Sequence, residues 1–109
     1  MNDREFIGWH VERAIDELYA TRESFPHMKS GVHLSHAKGV LEHIFEQREW
    51  EEDVDPFIEG LISHGMSQLS RAETLLRNDD GDEQQAVFRA AMCVGRTTFG
   101  LEIARERLE

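Results

Sequence analysis

Apolar residues recur at steps of three and four along most of the chain, the spacing that places them on one face of an α-helix. In the first segment the repeating apolar positions are Ile7, Val11, Ala14, Ile15 and Leu18. Asp3 can cap the start of this segment. Pro26 ends it, because the residue before a proline disfavours helical backbone angles. The pattern therefore predicts a first helix over about residues 3–23.

The next two helices follow from the same spacing. The second is predicted to begin near Gly31 or Val32 and to run to about residue 50. Its apolar stripe consists of Leu34, Ala37, Leu41 and Ile44, widened by Val40 and Phe45. Asp55 followed by Pro56 marks the start of the third helix, since aspartate caps a helix and proline suits its first position. The stripe of the third helix consists of Ile58, Leu61, Ile62, Gly65, Leu69, Ala72 and Leu76.

A polar, glycine-containing segment at 78–82 is a loop signal, and it separates the third helix from a fourth over about 83–108. The positions of the fourth helix that we expect to be buried are Val87, Ala90, Ala91, Val94, Thr98, Leu101 and Leu108. Phe88, Met92 and Phe99 widen its apolar side. This breadth favours contacts with two neighbouring helices or with a second chain.

Four helices of about 20 residues joined by short loops predict an all-α, up-down-up-down four-helix bundle. The 109 residues correspond to a single domain over 1–109. The broad apolar side of the fourth helix leaves two arrangements open. The bundle either closes within one chain or is completed as an intertwined or side-by-side homodimer.

The charge of the chain narrows the classes of partner. Its 22 acidic residues against 12 Lys and Arg give a formal net charge of -10. Each contact with a nucleic-acid phosphate or an anionic lipid requires a cation on the protein. The charge therefore argues against nucleic acid and membrane surfaces as partners, and it permits a basic protein partner.

Cys93 is the single cysteine, which excludes an internal disulfide and a multi-cysteine zinc site. Its apolar sequence neighbours predict an inert, buried thiol and not a nucleophile. No export signal opens the sequence and no apolar run is long enough to span a bilayer. Together with the unpaired cysteine, these features lead us to expect a cytoplasmic protein.

Six histidines raise the question of a metal site. His33 and His36 are three residues apart, as are His43 and Glu46, and a helix can present two ligands at that spacing. His36 and His43 are about 10 Å apart along the helix axis, too far for one ion without help from another helix. Partly exposed histidines without a metal are the simpler interpretation. The alternative is a metal-binding bundle in which His33, His36, His43 and Glu46 hold a divalent transition metal such as zinc, with enzymatic activity left open.

Acidic residues and two tryptophans define a second candidate site. Glu49, Glu51, Glu52 and Asp53 lie where the second helix is predicted to end, and acids are unfavourable at a helix C-terminus. Trp9 lies off the apolar stripe of the first helix, and Trp50 lies within the acidic cluster. Tryptophans outside a core are favoured at protein interfaces. An up-down bundle would bring both tryptophans to the same end. A solvated acidic surface remains the plain alternative.

We therefore expect a non-enzymatic binding or regulatory protein without a cofactor. Its expected partner is a protein, with a basic surface that the acidic cluster could cover. The candidate contact residues are Trp9, Trp50, Glu49, Glu51, Glu52 and Asp53. The histidine-based metal-binding bundle is the alternative function.

Overall fold

The computed structural model describes residues 3–24, 29–46, 55–77 and 83–109. Within these ranges the chain forms four α-helices and no strand. Helix α1 covers Asp3–Ser24, α2 covers Lys29–Glu46, α3 covers Pro56–Arg77 and α4 covers Glu83–Leu108. The prediction of an all-α protein with four helices is thus confirmed for the described part of the chain.

The helix bounds agree with the sequence pattern except in α2. This helix begins at Lys29, two residues before Gly31, and its last described residue is Glu46. The start of α3 shows the predicted capping. The backbone N–H of Phe57 donates to the Asp55 carboxylate at 2.9 Å, and Pro56 occupies the first helical position.

The helices pack compactly, in an array measuring 47 × 21 × 19 Å. Among the described residues, α1 packs against α2 and α4, and α3 packs against the same two helices. The predicted stripes of α1 and α2 are buried in the common core. On α3 the fully buried positions are Ile58, Ile62, Gly65, Leu69 and Ala72. Leu61 and Leu76 pack against the core from its edge.

Helix α4 buries the predicted face in part. Ala90, Val94, Thr98 and Leu101 are buried as predicted, whereas Val87, Ala91 and Leu108 are only half-buried. The large side chains that widen its apolar side, Phe88, Met92 and Phe99, are exposed. The full set of buried residues on α4 is Ala90, Cys93, Val94, Thr97, Thr98, Leu101 and Ala104. Most of these side chains are small, so this face allows the neighbouring backbones to approach more closely than the phenylalanine face would.

Buried hydroxyls and glycines show how close that approach is. Thr97 and Thr98 donate their hydroxyls to carbonyls one turn earlier in α4, each at 2.8 Å, so neither hydroxyl lacks a partner in the core. A Cβ placed on Gly65 of α3 would lie 3.1 Å from the Thr97 methyl group. Gly65 therefore permits the α3–α4 contact. Gly60 of α3 and Gly95 of α4, by contrast, have open space at the Cβ position.

Cys93 is buried, as its apolar sequence neighbours predict. None of the four described helices combines the length and the hydropathy that crossing a bilayer requires.

Candidate protein-binding groove

A groove of about 440 Å³ lies between the first half of α1 and the last turns of α4. Its lining residues are Arg4, Glu5, Gly8, Trp9, Glu12, Arg105, Leu108 and Glu109. We call this feature the Trp9 groove. Trp9 is 55% exposed, the largest exposed aromatic side chain in the described part of α1. The groove therefore presents a wide aromatic surface to solvent.

The position of Trp9 follows from the helical repeat of α1. Ile7 and Val11 are each two residues away, which turns them about 200° around the helix and into the core. Trp9 consequently faces outward. Its ring makes an edge-on contact with the ring of His10, with centroids 4.8 Å apart. His10 is only 7% exposed, so the indole rests against a buried neighbour.

Arg4 holds the two helices together at this groove. Its Nε donates to the carbonyl of Leu108 at 3.0 Å, and its Nη2 donates to the carbonyl of Arg107 at 2.9 Å. The last carbonyls of a helix have no partner within the helix, and they carry the negative end of its dipole. Arg4 thus satisfies both, and it fixes the start of α1 against the end of α4.

The charges around the groove favour a cationic occupant. Three carboxylates line it, those of Glu5, Glu12 and Glu109, against two guanidinium groups. Both guanidiniums have contacts within the protein, because Arg4 binds the α4 carbonyls and Arg105 lies 3.5 Å from Glu12. The groove therefore combines an aromatic wall with an excess of acidic groups, in a chain whose net charge is -10.

A neighbouring contact fixes the start of α3 to the end of α4. Asp55 accepts hydrogen bonds from the Nε and Nη2 atoms of Arg107 at 3.2 and 3.1 Å. The guanidinium of Arg107 also lies over the Phe57 ring, 4.5 Å from its centroid. The N–H of Phe57, and then Arg107, lower the pKa of the Asp55 carboxyl below its ordinary 3.8. Hydrogen bonds and a cation–π contact thus hold the start of α3 and the end of α4 together.

Of the six residues predicted for protein binding, Trp9 lies in the groove. The other five, Trp50, Glu49, Glu51, Glu52 and Asp53, lie outside the described residues. The expected meeting of Trp9 with Trp50 therefore stays a prediction.

The candidate metal ligands of α2 have different neighbours from one another. Nδ1–H of His33 donates to the Glu17 carboxylate of α1 at 2.9 Å, and Nδ1–H of His43 donates to Glu46 at 3.1 Å. His36 is exposed. Across residues 3–24, 29–46, 55–77 and 83–109, no three His, Cys, Asp or Glu side chains converge in a way that could hold a metal ion.

The sequence analysis missed a pair of stacked histidines. His10 of α1 and His43 of α2 have ring centroids 5.2 Å apart and planes inclined by 26°. Phe6 packs against both rings, at 4.2 and 6.0 Å. Nδ1 of His10 donates to the Phe6 carbonyl at 2.8 Å, since a carbonyl can only accept. The pairing depends on the register of α1 against α2, and the spacing of residues within one helix does not reveal that register.

Comparison with protein-family models, with curated proteins and with solved structures gives no match for this chain.

Proposed function

We propose that this protein is a non-enzymatic binding module that recognises a basic segment of a protein partner through the Trp9 groove. The observation that carries the proposal is a half-exposed tryptophan in a groove lined by three carboxylates and two guanidinium groups. A binding or regulatory role of this kind requires neither a cofactor nor a catalytic residue.

An arginine or lysine side chain suits this groove for two physical reasons. A cation over a tryptophan face gains about 0.5–1 kcal/mol at an exposed site. Glu5, Glu12 and Glu109 line the same groove, so their negative charges attract the cation. The net charge of -10 adds long-range attraction, which raises the association rate.

The proposal includes the up-down-up-down arrangement of the four helices. Contacts between neighbouring helices support it, because early residues of one helix meet late residues of the next. Arg4 reaches Leu108, and Asp55 reaches Arg107. Between α2 and α3, Lys38 lies 3.7 Å from Glu73. In this arrangement the ends of α2 and α4 and the starts of α1 and α3 share one end of the molecule.

In the sequence, the acidic residues lie between α2 and α3, whose end and start this arrangement brings to the shared end. We therefore include Trp50 and the cluster of Glu49, Glu51, Glu52 and Asp53 in the proposed surface. The homodimer expected from the sequence belongs to the same proposal, and the exposed side of α4 supports it. A cytoplasmic location also remains part of the proposal.

The test is calorimetric titration with a short arginine-rich peptide, and with a glutamate-rich peptide of equal length as the negative control. We expect binding of the basic peptide only, and weaker binding at higher salt. Trp9→Ala should weaken it about fivefold, which corresponds to about 1 kcal/mol. Glu12→Gln should also weaken it, whereas Glu23→Gln, the same charge change farther along α1, should not.

Far-UV circular dichroism and a urea unfolding curve will show that each variant is folded. If the basic peptide does not bind, or if Glu23→Gln weakens binding as much as Trp9→Ala does, the groove is not the binding site.

A histidine-based metal site is the second candidate, and the stacked His10–His43 pair favours it. Each ring uses Nδ1 as a donor to an oxygen, which leaves Nε2 as the atom with a free lone pair. Metal-binding histidines are commonly oriented in this way. The pair supplies two of the four ligands that zinc usually takes. This candidate adds His10 to the predicted His43, whereas His33, His36 and Glu46 stay a prediction.

Zinc titration of untagged protein, followed through the histidine ring signals in NMR spectra, tests this candidate. Saturable shifts at His10 and His43 that disappear in His43→Ala would support it. Shifts confined to the exposed His36 and His64 would contradict it.

A further inference from the structure

The outer side of α4 carries a row of large apolar side chains that face solvent. Phe88 is 65% exposed, Met92 43% and Phe99 66%. Their spacing, with Gly95 between Met92 and Phe99, places all four residues within about 60° of one another around the helix. We call these four residues the α4 stripe. The stripe lies opposite the buried face of α4, so no described helix of the same chain covers it.

We propose that the α4 stripe is the homodimer interface, in which the α4 helices of two copies pack antiparallel. This inference rests on the homodimer part of the proposed function and is independent of the Trp9 groove. It assigns the interface to one surface and gives its register.

The register follows from the order of large and small residues in the stripe. A two-fold axis between residues 93 and 94 pairs positions whose numbers add to 187. Phe88 then faces Phe99 of the second copy, and Met92 faces Gly95 of the second copy. Both pairs occur twice by symmetry, as an isologous interface requires. The long methionine enters the space above the glycine, where a Cβ would meet nothing in its own chain.

The exposed area indicates a weak dimer. With about 200 Å² for a large exposed side chain, the three fractions leave about 350 Å² of apolar surface on each copy. A standard interface buries about 800 Å² on each partner. The shallow groove beside the stripe, lined by Arg22, Ala91 and Glu102 among others, provides adjoining surface from α1 and α4. Because the apolar area is less than half of the standard, we expect a weak dimer that dissociates on dilution.

The response to salt distinguishes a second copy from a charged partner. Arg89 and Arg96 are exposed on one flank of the stripe, and the two-fold axis places this flank of both copies on the same side. Each copy also carries a net charge of -10. The arginine side chains and the net charges therefore both repel each other when two copies meet, and salt screens this repulsion. Salt does not screen the apolar contact. Dimerisation should therefore strengthen as salt rises, opposite to the binding of a basic peptide.

Sedimentation equilibrium over a concentration series, at about 50 mM and about 500 mM NaCl, tests this interface. We expect a monomer–dimer equilibrium that is tighter at the higher salt concentration. Gly95→Leu should weaken the dimer by about tenfold or more, because the new side chain occupies the space of Met92. Gly39→Leu is the matched control, since its Cβ also meets nothing in its own chain and it lies on α2.

Phe99→Ser gives a second perturbation of the same surface and should weaken the dimer as well. A chain that stays monomeric at both salt concentrations would overturn the proposal. So would a dimer that weakens with salt, or one that Gly39→Leu weakens as much as Gly95→Leu does. A dimer lost in Trp9→Ala and retained in Gly95→Leu would move the interface to the groove. Basic-peptide binding by Gly95→Leu should be unchanged, so that failure of the dimer and failure of the groove are distinguishable.

Discussion

Replacement of His10 by alanine should destabilise the protein far more than the same replacement of His64. Neither histidine has a metal-ligating residue three or four positions away, so the difference arises from their surroundings in the fold. In the structure His10 is 7% exposed and has rings on three sides, whereas His64 is exposed. The two variants therefore form a matched pair, with identical chemistry in different surroundings.

The size of the effect can be worked out from the contacts of His10. Its hydrogen bond to the Phe6 carbonyl contributes about 0.5–1.5 kcal/mol. Its ring contacts with Phe6, Trp9 and His43 each add a fraction of the about 0.5–1.5 kcal/mol typical of aromatic pairs. We expect His10→Ala to lower the free energy of unfolding by about 2–3 kcal/mol. His64→Ala should change it by less than about 0.5 kcal/mol.

Urea unfolding at neutral pH, followed by far-UV circular dichroism, measures both values. His10→Phe separates the two contributions, because it retains a ring and removes the hydrogen bond. It should lose about 1 kcal/mol. If His10→Ala and His64→Ala proved equally stable, the stacked arrangement of His10 would be refuted, and the His10–His43 metal candidate with it.

Three further predictions concern single contacts. Asp55→Ala should lower stability at neutral pH. The pKa of Asp55 is lowered in the fold, so its ionised form stabilises the protein at pH values above 3.8. In urea unfolding curves, the difference in stability between wild type and variant should shrink as the pH falls below 3.8, and it should disappear once the pH has passed the lower folded pKa. The hydrogen bond from Tyr19 to Glu102 raises the pKa of the Tyr19 hydroxyl. The stability that this hydrogen bond adds should therefore be complete below pH 10.0 and lost as the pH rises through the higher folded pKa. An ultraviolet titration that shows Tyr19 ionising at or below its ordinary pKa would contradict this. Gly65→Val should lower the unfolding midpoint in urea, because a Cβ at this position would lie 3.1 Å from the Thr97 methyl group and a branched side chain needs still more space. An unchanged midpoint would show that α3 and α4 separate at little cost.

Local signals in the sequence were sufficient for the helices. Asp55 and Pro56 mark the start of α3 because capping depends on neighbours in sequence, and the contact of Asp55 with the Phe57 N–H is local. The stripes of α1 and α2 were predictable for a related reason. Each has a single apolar face, so only one orientation buries it.

Helix α4 shows how far periodicity reaches. It predicted the face with Ala90 and Val94 as buried, which is confirmed, but it did not predict the edges of that face. Thr97 and Ala104 are buried whereas Val87 and Ala91 are only half-buried. These edges depend on how closely α3 and α1 approach, which is a tertiary property. Likewise, His10 meets His43 only through the register of α1 against α2. For the candidate groove, the sequence predicted Trp9 but not Arg4, whose partners are more than 100 positions away along the chain.

The contact of Arg4 with the end of α4 also has a consequence for the route by which the chain folds. The Leu108 carbonyl is 104 residues away, so this contact closes nearly the longest loop that the chain can form. Loop closure over such a separation slows folding, whereas the contacts of α1 with α2 and of α3 with α4 are between sequence neighbours. A circular permutant that joins residue 109 to residue 1 through a short linker, and opens the chain between α2 and α3, would make the α1–α4 contact local. Its two hairpins would then be α3–α4 and α1–α2 in that order, and the docking of α2 on α3 would become the long-range step. The native contact at Arg4 would then form early in folding, and the refolding rate of the permutant would report which pair of helices limits the assembly of the natural chain.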